Sequence, residues 1–415
     1  MIKKILEFIF SKKDKGIYCY ITILGIKIVT KPLRLKILEM DKRIENSFNT
    51  LRKEILISRG LNYQVPIYSL NENEIKYSPL VSVIITVYNI GSKYLVHCLE
   101  SVINQTLKDI EIIIVNDASH LKEDDDICLS YKEKDSRITY IKLDKNVGDG
   151  EARMCGLRKA KGYAVSFVDG DDYLSPNLYE ITVGNMLQNS LDIVCYNFFI
   201  LHKNNNNIVF LNSANNNMPY NIFYKKDSID IFSNTYLYID GHLWNKLFRR
   251  EILLKVGYNN MAARYKCKDL NYCFKVFIEA EAISYIPINL YFYIDSRQTS
   301  IINNTNFKDN FFTDIYYIYT DMYDYINKSS NEMITKLFAS NFDWLYNSAL
   351  KFDRYKIKDE KYFINLFGKI ILDLKNYGAI NIEQLIENVK INNNNNINMI
   401  NWLDNLFLIS RKKIK

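Results

Sequence analysis

Proline and glycine are scarce in this chain, 6 and 14 in 415 residues, which excludes collagen-like repeats and Pro/Gly-rich disorder. Its seven cysteines, at 19, 98, 128, 155, 195, 267 and 273, form no C-x-x-C pair and are odd in number. Neither a disulfide framework nor a cysteine zinc site is expected, and a reducing, cytoplasmic compartment follows. With four histidines (His97, His120, His202, His242) and no H-E-x-x-H, any metal would be held by oxygen ligands. No run approaches the roughly 18 apolar residues of a membrane-spanning helix. The opening M-I-K-K-I-L-E-F-I-F-S-K-K is too short and too interrupted by charge for a signal peptide.

What is present is globular. Hydrophobic residues make up 48% and charged residues 24%, so a packed core is expected, and the length suggests about two to three domains at roughly 150 residues each. Heavy use of Asn, Ile, Lys and Tyr is a compositional bias without functional content. The net charge of +7 is uneven: residues 1–60 carry 14 Lys and Arg against 6 Asp and Glu, while the rest is close to neutral. A nucleic-acid protein would spread basic residues over a face with interleaved aromatics, so the basic end points instead to anionic lipid or an acidic partner, with a merely soluble basic surface as the alternative.

Along the chain, Ile2, Ile5, Leu6 and Ile9 share a helical face ringed by Lys3, Lys4, Lys12 and Lys13, the pattern of a membrane-surface helix. Ile17–Ile23 and Ile26–Val29 read as a hairpin about Gly25, and Ile44, Phe48, Leu51 and Ile55 as a charged helix. From Val81 the pattern becomes strand (81–87), helix (94–105), strand (110–115), helix, strand (138–143), helix (151–161), strand (164–168). This is the rhythm of an α/β fold with a mostly parallel sheet flanked by helices. Two Asn tracts, Asn204–Asn207 and Asn392–Asn396, read as spacer loops. After about residue 305 the spacing of Phe311, Ile315, Ile318, Met322 and Tyr325 predicts helices, and the chain closes on a basic end at Arg411, Lys412, Lys413 and Lys415. The expected division is a basic accessory segment at 1–77, a central domain at 78–305 and a helical C-terminal extension at 306–415.

In open α/β sheets ligands bind beyond the carboxyl ends of the strands. Three strands here end in T-V-Y-N, N-D-A-S and D-G-D-D. The carboxylates of Asp169, Asp171 and Asp172 repel one another unless a cation or donors neutralise them, and Mg²⁺ or Mn²⁺ completed by phosphate oxygens is the economical reading. Taken alone, the motif also suits a solvated turn.

In order and spacing, V-S-V-I-I-T-V-Y-N, S-V-I-N-Q-T, I-I-V-N-D-A-S, N-V-G-D-G-E-A-R and A-K-G-Y-A-V-S-F-V-D-G-D-D-Y-L-S-P resemble glycosyltransferase family 2, strongly over 78–180 and more loosely to about 305. The general look is similar to bacterial enzymes of capsule and lipopolysaccharide synthesis. The resemblance implies the GT-A fold and transfer of a sugar from a nucleotide-diphosphate donor, by expectation a UDP-sugar, to a glycan or lipid-linked acceptor. By position it implies that Thr86 and Tyr88 line the base pocket, that Asp117 accepts hydrogen bonds from the base, and that Arg153 contacts diphosphate or base. It places Asp169 near ribose and metal, Asp171 on the Mn²⁺ or Mg²⁺, and Arg297 on a loop over the diphosphate. Asp269, 98 residues after Asp171, takes the position of the general base, although Lys268 stands where the family has Glu. Trp244 and Lys246 fall in the segment that shapes the acceptor site, Trp244 either stacking on a sugar or packing in the core.

Two rival readings carry different expectations. Nucleotidyl transfer needs a Gly-rich loop after the first strand, and only Gly91 follows it here. A catalytically lapsed scaffold subunit of a polysaccharide assembly complex is favoured by Lys268 and by the long flanking segments. Association with the inner face of the cell membrane is expected through residues 1–13 and the basic C-terminus, and no nucleic-acid partner is expected.

Overall fold

The computed structural model describes residues 77–204, 207–212, 220–224, 241–257, 268–294, 311–328, 331–340, 360–392 and 400–405, with the backbone of three strands nearer the N-terminus. The chain divides into two compact units, Met1–Gln64 and Val65–Lys415. In the first, β1 (Phe10–Lys15), β2 (Tyr18–Ile23) and β3 (Ile26–Thr30) form an antiparallel sheet in chain order. The hairpin about Gly25 is therefore present. Lys12 and Lys13, expected beside an amphipathic helix, instead lie in β1. Residues 2–9 and the helix expected over 44–55 lie outside the described residues.

The second unit is built on a ten-stranded mixed sheet. Its first half follows the expected rhythm: β4 (Val81–Val87), α1 (Ser92–Ile103), β5 (Ile110–Asn116), α2 (Lys122–Lys134), β6 (Ile138–Lys142), α3 (Asp149–Lys159) and β7 (Ala164–Asp169). These four strands are mutually parallel, in the spatial order β7-β4-β5-β6. β4 is almost wholly buried because helices cover both its faces, which is why it reads as an unbroken β-branched run rather than an alternating one. α1 buries Leu95, Cys98, Leu99 and Val102, the i, i+3, i+4, i+7 stripe of an amphipathic helix.

Beyond β7 the sheet changes character. After β8 (Tyr173–Leu174) and α4 (Leu178–Gln188) come β9 (Ile193–Asn204), β10 (Asn207–Asn212), β11 (Asn221–Tyr224), β12 (Lys246–Arg249), α5 (Arg250–Val256), α6 (Lys268–Glu279) and β13 (Ala282–Ile294). β12 inserts antiparallel between β7 and β9, whereas β9 and β13 pair parallel, so the sheet is mixed beyond β7. Asn204 and Asn207, the outer residues of the first Asn tract, pair with each other at the end of the β9–β10 hairpin. The C-terminal residues are helical as expected, in α7 (Phe311–Tyr325), α8 (Asn331–Ser340), α9 (Glu360–Tyr377) and α10 (Ile382–Asn392). One hydrophobic cluster runs from Ile84 and Phe167 through Phe274 to Ile318, Leu337 and Leu385, so these helices share the core of the α/β sheet. Among the described residues, no helix is long and apolar enough to cross a membrane.

The approach of α3 to β4 depends on Gly156. A Cβ there would lie 2.4 Å from Ile84 Cγ2, a fully buried, β-branched side chain with little room to yield. Gly→Ala normally helps a helix by roughly 0.5–1 kcal/mol, but overpacking a tight core costs about 1–3 kcal/mol, so the clash decides the sign. Gly156→Ala is expected to lower stability in urea denaturation; a rise would show that the helix and strand have room to part.

Candidate functional site

The strand ends are stiffened before any ligand arrives. At the ends of β4 and β5, Asn89 (φ +51°) and Ala118 (φ +56°) sit in the left-handed region, a local cost that surrounding bonds must offset. Those bonds converge on Asp124, which is fully buried: its two oxygens accept the amides of Ile90 and Gly91 at 2.9 and 2.8 Å, and Ser119 Oγ donates to it at 2.6 Å. Asp117, 2% exposed, accepts the amides of Val147 and Gly148 at 2.7 and 2.9 Å, tying the N-Cap of α3 to the end of β5. The first turn of α3 therefore cannot move independently of the sheet. Asp117 braces this loop, a role the expected base contact did not include.

Register places Thr86 of β4 beside Asp169 of β7, and the Gly170 amide donates to the Thr86 carbonyl at 3.1 Å. The backbones are so close that a Cβ on Gly170 would meet that carbonyl oxygen at 2.8 Å, which explains a glycine inside D-G-D-D. Tyr88 is half-buried at the same end of the sheet, its ring 5.9 Å from and edge-on to that of His120. Thr86, Tyr88, Asp117 and Asp169 thus all lie at the carboxyl end of the parallel strands.

The three carboxylates of D-G-D-D have different environments. Asp172 is 1% exposed, receives the Tyr291 hydroxyl at 2.7 Å and the Ile294 amide at 2.8 Å, and braces the loop. Burial, then the charges of Asp171 and Asp169, hold its carboxyl well above the usual range. The same field reaches Cys98, whose thiol is pushed up by burial and by Asp172, Asp171 and Asp169. Asp171 and Asp169 are only partly buried. Among the described residues no group of three or more His, Cys, Asp or Glu is arranged to hold a metal ion. An ion held by one or two carboxylates and completed by phosphate oxygens needs no such cage, and Asp171 with Asp169 fits that kind of site.

Arg153 joins the two halves of the site. It is 3% exposed, so it is not a surface arginine. Its Nη1 donates to both oxygens of Asp269 at 2.8 and 2.9 Å and to Asp149 at 3.2 Å, while its Nη2 donates to Asp169 at 2.7 Å. Burial would lower its pKa, but Asp269, Asp169 and Asp149 outweigh that and drive it above the ordinary arginine value. The residue expected on the donor is thus in direct contact with the expected base. Lys268, which stands where the family has Glu, begins α6 with its side chain outside the described residues; among the described side chains, the cation on Asp269 is Arg153.

Burial decides between the two readings of Trp244 and removes Lys246 from the acceptor surface. Trp244 is 5% exposed, with its ring stacked 4.7 Å from His242, 4.6 Å from Tyr291 and 5.6 Å from Tyr293, so it is a core aromatic with no face offered to a sugar. Lys246 is fully buried, and its Nζ donates to the His242 carbonyl at 2.6 Å and Asn245 Oδ1 at 2.7 Å, locking the turn into β12. Arg297 lies outside the described residues. Sequence reasoning missed Asp124, Asp149 and Tyr291. Only Asp149 had a signal, its i, i+4 spacing to Arg153.

Replacing Arg153 by Met keeps much of its volume but leaves three carboxylates facing one another. Removing one partner of a buried ion pair costs about 3–5 kcal/mol, and the partial exposure of these carboxylates puts the expected loss near the lower end. Arg153→Lys is expected to recover only part of it, because one ammonium lacks the fork that reaches Asp169 and Asp269 together. Urea denaturation of the two variants checks this, and equal stability of Lys and wild type would contradict it.

Comparison with known proteins meets this geometry. Residues 82–257 match the family model described as "Glycosyl transferase family 2". The glycosyltransferase GlyA of Streptococcus pneumoniae is 30% identical over 221 residues, 51% of this chain and 30% of that protein. GlyG from the same organism is 27% identical over 247 residues, 59% of this chain and 79% of that protein. The chain thus spans less than a third of the length of GlyA. Among solved structures, residues 1–349 of Staphylococcus aureus TarS in complex with UDP-GlcNAc superpose with a TM-score of 0.58 at 16% identity, covering 75% of this chain and 89% of that one. The strand-end signatures, the sheet that carries them and the family match agree: residues 82–257 are similar to glycosyl transferase family 2, on a sheet with the GT-A fold.

Proposed function

We propose that the protein transfers a sugar from a nucleotide-diphosphate donor, a UDP-sugar in the first instance, to a hydroxyl of a glycan or lipid-linked acceptor, with inversion, in bacterial surface polysaccharide synthesis. The observation that carries the reading is Arg153, which holds Asp169 at the donor side and Asp269 at the acceptor side around one guanidinium. The names of GlyA and GlyG support the activity, and the solved TarS complex supports the choice of donor nucleotide.

In this reading the acceptor oxygen attacks the anomeric carbon while the bond to the diphosphate breaks on the opposite face. The acceptor proton passes to Asp269. A carboxylate oxygen accepts more than one hydrogen bond, so Arg153 holds Asp269 in place without excluding a hydroxyl. Asp171, with Asp169, would hold a Mn²⁺ or Mg²⁺ ion, which neutralises charge on the departing diphosphate when bound. Thr86 and Tyr88 line the base end of the pocket. The basic segments at residues 1–13 and at the C-terminus are assigned to the anionic inner face of the membrane, where a lipid-linked acceptor would be met.

The lapsed-scaffold reading draws on the same observation, since a base gripped by arginine on both oxygens is also what an inactive site would retain. Nucleotide release from a panel of UDP-, GDP- and dTDP-sugars, with and without Mn²⁺, separates the two. Turnover of one donor supports the enzyme, and binding without turnover of any supports the scaffold.

Asp171→Asn is expected to remove the Mn²⁺ dependence of nucleoside diphosphate binding in calorimetric titration; undiminished dependence would show that the ion is held elsewhere. Asp269→Asn keeps the shape of the side chain but cannot take the acceptor's proton. Transfer is expected to fall by about 10²–10⁴-fold with donor affinity near wild type. Transfer at the wild-type rate would show that another group is the base.

A further inference from the structure

The helix that carries Asp269 is held from behind by the C-terminal extension. At about 100° per residue, Asn271 and Lys275 lie roughly 200° and 240° around α6 from Asp269, on the opposite face. Both are buried, at 2% and 1% exposure. Both donate to one atom, Oδ2 of Asp321 in α7: Asn271 Nδ2 at 2.6 Å and Lys275 Nζ at 2.5 Å. Lys275 Nζ also stands 5.3 Å from the centre of the Tyr325 ring, and the Tyr325 hydroxyl donates to Glu279 at the far end of α6 at 2.9 Å. Around these polar contacts Tyr272, Phe274 and Val276 of α6 share an apolar cluster with Ile315, Ile318 and Met322 of α7.

We infer that Asp321 is a positioning residue for the transfer reaction. It acts through Lys275 and Asn271 to fix the rotation and height of α6, and so the place of Asp269 against Arg153. Asp321 is itself half exposed, but the ammonium it meets is buried and must keep a partner, which constrains this contact more than a pair between two surface side chains. Apolar packing alone permits a helix to slide or turn by fractions of an ångström, whereas two donors converging on one oxygen do not. The C-terminal helices are in this sense part of the transfer site. The inference rests on the proposed role of Asp269.

The experiment uses the full chain and three variants. Asp321→Ala removes the anchor. The double variant Asp321→Leu/Lys275→Met replaces the ion pair by apolar side chains, so that no buried charge is stranded and the fold survives. Asp269→Asn reports on the base itself. Expected for both anchor variants are faster hydrogen exchange in the first turn of α6, unchanged exchange in α3 and β7, and transfer kcat lower by about 10²-fold, the order expected for a 1 Å misplacement, with donor KM within twofold of wild type.

Unchanged exchange in α6 would overturn the inference whatever the activity. A double variant that regains stability and the wild-type kcat together would also overturn it, by showing that the pair only stabilises the fold. Should Asp269→Asn transfer at the wild-type rate, the base assignment itself has failed and Asp321 positions nothing catalytic. Donor turnover in wild type, with loss in Asp269→Asn but none in the anchor variants, would overturn the positioning role and leave the base intact.

Discussion

A guanidinium that is 3% exposed keeps its charge away from water only where carboxylates replace the lost solvation. Arg153 finds three of them, from its own helix, from the end of β7 and from the start of α6. The dependence runs both ways: Asp149, Asp169 and Asp269 would not be stable at this separation without a cation among them. The positions of α3, β7 and α6 are consequently coupled through one side chain. The cluster remains anionic after Arg153 is counted. A bare diphosphate would be repelled here, which is the electrostatic argument behind the divalent cation proposed at Asp171.

The aspartates of the site divide by what their oxygens already hold. Asp117 accepts backbone amides, Asp124 accepts amides and the Ser119 hydroxyl, and Asp172 accepts an amide and the Tyr291 hydroxyl. These three fix the loops beyond β4, β5 and β7. Asp169 and Asp171 are only partly buried beside them, and Asp269 is met by a side chain from another element. Loop-bracing carboxylates and chemically usable ones are thus interleaved along the sequence. Residue type alone does not separate them.

Much of the parallel half could be read from the chain because its signals are local: a β-branched run for β4, an amphipathic stripe for α1, and polar residues at strand ends where an α/β sheet binds ligands. The mixed half beyond β7 gave weaker signals. β12 has four residues, and its insertion between β7 and β9 is decided by pairing partners far away in sequence. Trp244 and Lys246 illustrate the limit most clearly, since an aromatic and a lysine in the right segment look the same in sequence whether they face a sugar or lie buried. Their burial follows from Tyr291, Tyr293 and the 242–246 turn, none of which their own neighbourhood reveals. The Arg153–Asp269 contact spans 116 residues, and no periodicity encodes it.

β13 shows how the two halves close on one another. It pairs parallel with β9, but the register shifts between Ile286 and Asn289 and again between Asn289 and Tyr291. Such bulges bend a strand and re-aim its side chains. Past them, Tyr291 and Phe292 pair with β8 directly after D-G-D-D, and Tyr291 and Ile294 reach Asp172. β13 starts three residues after the end of α6. One continuous stretch of chain therefore runs from the helix bearing Asp269 to the strand gripping the acidic loop, while Arg153 joins the same helix and loop by side chains. With α7 holding α6 from behind, the separation between Asp269 and the D-G-D-D loop is set by backbone, by an ion cluster and by helix packing together. The proposed displacement would need that separation fixed, because attack and departure would occur on opposite faces of one carbon.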